Sequence, residues 1–132
     1  MRDAEAGVTK RSAIELPGTL GSVPAARRYV RTVLGPEYDD VELAVSELVT
    51  NAVQHSDSAK DGKVTLELAV GAGRVRVDVT DDGSATRHPR LADPPVDSEH
   101  GNGLKIVRAI SNRWGVKVSA SGTTVWCECP VS

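Results

Sequence analysis

At 132 residues the chain has room for one domain with a single sizeable core. It is 39% hydrophobic and 26% charged, as globular proteins are, and a net charge of -2 leaves no basic footprint for nucleic acid or an acidic membrane surface. No apolar run approaches the roughly 20 residues that span a bilayer, and the opening MRDAEAGVTKRSA lacks the apolar segment of a signal peptide, so a cytoplasmic chain is expected.

Residues 1–11 are polar and charged and are expected to be loose, with one domain over 12–132. A short extended piece, Ala13 to Leu16, ends at Pro17-Gly18. Ser22 then has the character of an N-cap with Pro24 in the first turn. Val23, Ala26, Val30, Val33 and Leu34 follow at helical spacing until Gly35-Pro36. Asp39 or Asp40 can cap a second helix, whose stripe is Val41, Ala44, Val45, Leu48, Val49 and Ala52. The period then changes to two. Val64, Leu66, Leu68 and Val70 alternate with polar or small residues, Gly71-Ala72-Gly73 turns the chain, and Val75, Val77 and Val79 alternate back. From Asp81 to Gly101 there is no period, and a loop that long in a compact domain is more often functional than idle. A third helix is expected from about Gly103 to Arg113, carrying Leu104, Val107 and Ile110, with Gly115 as its C-cap. A last hairpin runs from Val116 to Ala120, turns at Ser121-Gly122 and returns over Thr123 to Cys129. This order predicts an α+β fold, one sheet covered on one face by helices. With no Phe, the core must be mostly Val, Leu, Ile and Ala. The two cysteines, Cys127 and Cys129, read as packed thiols without the ligand spacing of a metal site.

Four features fall off the core pattern. Glu47 and Asn51 stand at i, i+4 on one helix face, which suits either a plain solvent side or a site. Asp81-Asp82-Gly83 ends a valine-rich strand; it can be a turn, or an aspartate aimed at an exocyclic amine beside a glycine that admits a ligand. His100-Gly101-Asn102-Gly103 leads into a helix, where free N–H groups and the dipole end suit phosphate. Gly122-Thr123-Thr124 opens the last strand and, alone, is a turn.

Taken in order, these features resemble the ATP-binding fold shared by gyrase, heat-shock chaperones, histidine kinases and mismatch-repair ATPases. Within it the chain is most similar to the anti-sigma-factor serine/threonine kinases. ELVTNAVQHS resembles their N box, VDVTDDGS the first glycine box, HGNGLKIVRAISNRW the second, SGTTVW the last-strand motif, and LGSVPAARRYVRTVL the first helix. The similarity covers about Ile14 to Pro130. It implies a two-layer α/β sandwich of the Bergerat type, with a mixed, mostly antiparallel sheet under about three helices.

The resemblance also implies roles. Asn51 would hold Mg²⁺ against the ATP phosphates, since an amide oxygen is a hard ligand. Glu47 would be the general base. Asp81 would bind the adenine amine with Gly83 leaving room for the base. Gly101, Gly103 and Leu104 would form the second glycine box at the phosphates, and Thr124 (or Thr123) would support adenine recognition through Asp81. Residues 84–100 would be an ATP lid, with Arg87 and Arg90 as phosphate ligands or solvated loop charges, and His55 beside the pocket. One departure is Ala85, where the first glycine box usually ends in Gly. The implied function is phosphorylation of an anti-sigma-factor antagonist on Ser or Thr by a protein that also binds a sigma factor. The alternative is a non-catalytic, nucleotide-dependent interaction switch. Homodimerisation is a further expectation, with apolar residues of the first helix available for it. No nucleic-acid or membrane partner is implied.

Overall fold

The computed structural model describes residues 8–54, 62–81, 105–120 and 122–131. Its centre is the valine-rich hairpin. Strand β2 (Lys63–Gly71) pairs antiparallel with β3 (Arg74–Asp81) through the register Leu66↔Val79 and Leu68↔Val77. Two residues make the turn, Ala72 at φ 55 and Gly73 at φ 77, the pair of positive angles that matches the twist of a tight hairpin. Strand β1 (Val8–Pro17) lies outside β2, and β5 (Gly122–Pro130) then β4 (Arg113–Ser119) lie outside β3, giving the order β1-β2-β3-β5-β4. All four ladders are antiparallel.

β1 is longer than its apolar residues suggest. Lys10 and Arg11 pair with Val70 and Ala69, so residues 8–11 are strand and not a loose lead-in. An edge strand can be held by its ladder and needs little apolar alternation.

Helix α1 (Ser22–Leu34) and helix α2 (Asp39–Gln54) cover one face. Ser22 is already inside α1 and does not cap it; Gly21 holds the cap position, and the Ser22 hydroxyl donates to the Pro17 carbonyl at 2.6 Å. Ala26 and Val30 are fully buried, while Val23, Val33 and Leu34 pack against the core in part. The apolar side of α1 is therefore spent on the fold. Among the described residues the exposed large apolar side chains are Leu20, Leu43 and Val118, none of them on α1, which corrects the expectation that α1 offers an apolar dimer surface. In α2 the whole predicted stripe is buried, from Val41 to Ala52. Asp39 and Asp40 lie in its first turn, where their charge complements the dipole.

Helix α3 is described over 105–110, with Val107 fully buried. It stops sooner than expected. The Ser111 hydroxyl returns to the Val107 carbonyl, Asn112 N–H donates to the Glu128 carbonyl, and the chain enters β4 at Arg113. Gly115 is thus mid-strand, directly opposite Trp126, and a Cβ there would come within 2.9 Å of the indole. The close approach of that ring, not a helix end, accounts for the glycine. Ser121, the other residue of the expected last turn, lies outside the described residues. The core is Val, Leu and Ala with Leu16, Cys127 and Cys129, and no described helix is long and apolar enough to cross a membrane.

Candidate functional site

Strand parity sorts every residue of β3 and β5 onto one of two faces. Val75, Val77, Val79 and Asp81 pair across with Cys129, Cys127, Val125 and Thr123, and all of these are buried beneath the helices. Asp81 is 7% exposed and Thr123 6%. Two polar residues thus cap the apolar rows at one end of the sandwich. The alternate residues face away from the helices. There Thr80 and Thr124 share a 2.6 Å hydroxyl hydrogen bond. Thr124 therefore does not share the face of Asp81, and Thr123 does.

Helix α2 carries the other half of the candidate site, Glu47 and Asn51. Its first residues, Asp39 to Val41, border an open hollow together with Pro130, which ends β5, and Val131 just after it, so α2 starts at the C-terminal end of β5. It then packs across β5, β3 and β2. At about 1.5 Å per helical residue and 3.3 Å per strand residue, Asn51 lies roughly 18 Å along α2, and Thr123 roughly 23 Å back along β5. A helix laid back along β5 from that start carries Asn51 toward the end of the sheet where Asp81 stands opposite Thr123.

At about 100° per residue, Glu47 and Asn51 lie roughly 40° apart on one flank of the buried arc of α2, both half-buried. Helical side chains lean toward the N-terminus, so the Asn51 amide stands over the turn of Glu47. The opposite flank of α2 faces α1 and carries Glu42, 4% exposed, which accepts from Arg31 Nε at 2.8 Å with Arg27 Nε at 3.9 Å. That hydrogen bond, reinforced by charge, raises the Arg31 guanidinium above its ordinary pKa. No side-chain hydrogen bond or ion pair joins Glu47 or Asn51 to another described residue. The site thus offers a carboxylate, an amide and, at the strand ends, a buried aspartate with a threonine beside it. These groups can take a proton, a hard cation and an amine donor respectively. No cluster of three or more His, Cys, Asp or Glu among the described residues is placed to hold a metal unaided.

Of the expected site residues, Glu47, Asn51, Asp81 and Thr124 are described; Gly83, Gly101, Gly103 and Leu104 lie outside the described residues, as do residues 84–100 and His55. Of the two threonines expected at the strand start, Thr123 shares the face of Asp81, as the parity of Val125, Cys127 and Cys129 implies. The two cysteines are buried on the core face, and the hydrogen bond to Cys129 together with burial pushes the Cys127 thiol well above its ordinary range.

A helix layer on an antiparallel sheet, with Asp81 and Thr123 at the ends of the two central strands and Glu47 and Asn51 on the helix packed across them, is an α+β sandwich with a candidate ligand site at one end. A family model for the histidine kinase-like ATPase domain matches residues 16–128. The serine-protein kinase RsbW of Bacillus licheniformis is 33% identical over 123 residues, covering 83% of this chain and 76% of that protein. The anti-sigma F factor of Clostridium botulinum is 35% identical over 60 residues, 44% of this chain and 42% of that protein. Among solved structures, the histidine kinase domain from the Erythrobacter litoralis EL346 blue-light activated histidine kinase aligns with a TM-score of 0.57 at 22% identity, a likeness of fold over 86% of this chain and 61% of that one. The chain belongs to the histidine kinase-like ATPase domain family, on its anti-sigma-factor kinase side.

Proposed function

We propose that this protein binds ATP with Mg²⁺ at the seam of α2 with β3 and β5 and transfers the γ-phosphoryl group to a Ser or Thr of an anti-sigma-factor antagonist, and that it also binds a sigma factor. What supports the reading is that Glu47 and Asn51 stand one turn apart on α2, which packs across β3 and β5, and that Asp81 and Thr123 pair at the ends of those strands. The relatives named serine-protein kinase and anti-sigma F factor support the class of reaction and partner.

The residues fit the ligand. Asp81, buried at a strand end, accepts a hydrogen bond from the adenine amine, and Thr123 on the same face steadies it. Mg²⁺ needs few protein ligands when it rides on phosphates, and the Asn51 amide oxygen is one. The ion supplies neutralisation of the phosphate charge that builds during transfer. Glu47 orients the acceptor hydroxyl and takes its proton; the hydroxyl oxygen bonds to the γ-phosphorus as the bond to the bridging oxygen breaks and ADP leaves.

The test is to incubate the protein with γ-labelled ATP and candidate antagonists while measuring ATP affinity separately. Label on a Ser or Thr of an antagonist, lost in Glu47→Gln, is the expected result. Tight ATP binding with no transfer to any antagonist would defeat the kinase reading and leave an interaction switch.

A further inference from the structure

We propose that Cys127 and Cys129 are a modification site, a dithiol on β5 that closes reversibly to a disulfide when a peroxide reaches it through the hollow at the start of α2. This chemistry does not depend on the phosphoryl-transfer reading above.

Both cysteines are free thiols buried in the core. Strand parity sets them side by side on the face beneath the helices, Cys127 opposite Val77 and Cys129 opposite Val75. They already touch, the Cys127 thiol donating a hydrogen bond to the Cys129 sulfur. Two strand residues advance about 6.6 Å, at the long end of the roughly 4.4–6.8 Å that bridged Cα atoms span. Closure is within reach and must shorten the strand slightly.

β5 can yield at that point. Its ladder to β4 ends at Glu128, so Cys129 and Pro130 pair with β3 alone. Pro130 has no N–H of its own to lose. Together with Val131 and Asp40 it also borders the open hollow, whose volume is about 600 Å³. Asp40 lies close enough for its charge to act on Cys129. Cys129 thus stands one residue inside the wall of the hollow, at a strand end where local opening costs less than in the middle of the sheet. Hydrogen peroxide is scarcely larger than water.

The surroundings favour a disulfide over a metal. The hydrogen bond from Cys127 lowers the pKa of Cys129, against burial and the charge of Asp40. The same bond and burial keep Cys127 protonated. A soft ion would need both thiolates at once and would leave their charge in an apolar core. No third His, Cys, Asp or Glu among the described residues stands with them to complete a metal site. A disulfide needs one thiolate at a time and is neutral. The Cys129 thiolate attacks a peroxide oxygen, the O–O bond breaks, and a sulfenic acid and one water result. The Cys127 sulfur then attacks the sulfenic sulfur, its proton leaving with the hydroxyl as a second water. The two thiols lose two electrons, and the peroxide is reduced to two waters. A bond closed at the limit of its reach is strained, and strained disulfides are the readily reduced ones.

The test exposes the native full chain to hydrogen peroxide beside the same protein unfolded in urea. The folded chain should lose both thiols to alkylation, fall in mass by two hydrogens and run as a single chain on a non-reducing gel. Dithiothreitol should restore both thiols. The oxidised protein should melt about 5 °C lower, because so short a loop adds little stability and the kinked strand costs some. In Cys127→Ala, peroxide should leave a sulfenic acid on Cys129 that dimedone captures, while Cys129→Ala should keep Cys127 as a thiol. Circular dichroism checks the fold of each variant, and if either fails to fold, the mass and thiol count of the parent chain decide. Two intact thiols in the folded chain, after an exposure that oxidises the unfolded one, overturn the proposal. So do bonds between chains, or sulfinic and sulfonic acids in place of the disulfide.

Discussion

The flank of α2 that carries Glu47 and Asn51 and the face of the sheet turned away from the helices both bear polar groups, and they treat them oppositely. On the open face the polar groups are matched to one another. Thr80 is bonded to Thr124, Arg76 forks onto Asp78 at 2.9 and 3.2 Å, and Glu128 draws Arg74, Arg76 and Arg113 to within 3.7–3.9 Å. Trp126 lies beneath the guanidinium of Arg76 at 4.1 Å and that of Arg113 at 5.5 Å. The Glu42 flank of α2 follows the same rule. On the other flank Glu47 and Asn51 have no partner among the described residues. A polar group that supports the fold is satisfied by the fold, whereas one that serves a ligand is held in place with its bonding capacity unspent.

The sharpest way to break this contrast is to neutralise one glutamate on each flank of α2. Glu47→Gln keeps the shape and removes the base, so phosphoryl transfer should fall about 10²–10⁴-fold with Tm unchanged or raised. A smaller loss would deny Glu47 its role. Glu42→Gln should do the reverse, lowering Tm by a few degrees while transfer per folded molecule is kept, because a carboxylate at 5% side-chain exposure loses its charge-assisted bond to Arg31. If Glu42→Gln abolished transfer at constant Tm, the two flanks would not be functionally distinct.

The pair Thr123 and Thr124 tests the same contrast across the thickness of the sheet. Thr123→Val removes a hydroxyl beside Asp81 and should weaken ATP binding about three- to tenfold, the worth of one hydrogen bond, measured by titration calorimetry. Thr124→Val should leave ATP affinity alone and cost stability, since it strands the Thr80 hydroxyl. The opposite assignment would restore Thr124 to the nucleotide.

What the sequence made legible tracks how local the cause is. The stripe of α2, the central hairpin and the end position of Asp81 follow from periods of 3.6 and 2 within single elements. The face of Thr123 was equally local, since Val125, Cys127 and Cys129 share its parity. Other features depend on partners far along the chain. Thr9, Lys10 and Arg11 are polar, and only the ladder of this segment to β2 makes it strand. Glu42 looks like any surface acid of a first turn until α1 brings Arg27 and Arg31 against it. Gly115 reads as a helix cap because glycine so often is one, and its true cause is an indole on the neighbouring strand. Gly101, Gly103 and Leu104 of the second glycine box lie outside the described residues, so their part of the site is read from sequence.

Gly115 gives the smallest expected effect on ATP binding and transfer, and tests whether the two faces are independent. In Gly115→Ala the new methyl would stand 2.9 Å from Trp126 Cζ2 and 3.0 Å from Cε2 and Nε1, so the ring must move. It is a side chain at a half-open surface and can give way, but not freely, because Arg76 lies over it while also tied to Asp78 and Glu128. Overpacking of this kind costs about 1–2 kcal/mol, which denaturant unfolding will resolve. Movement of the indole should shift its emission, read with Trp114 replaced by Phe so that Trp126 is the only reporter. The displaced atoms all belong to the open face, and between them and the seam lie the paired backbones of β3 and β5. ATP affinity and phosphoryl transfer per folded molecule should therefore stay at the parent level. If either fell in proportion to the lost stability, strain on the open face would be reaching Asp81 and Thr123 through the sheet, and the two faces would have to be treated as one mechanical unit.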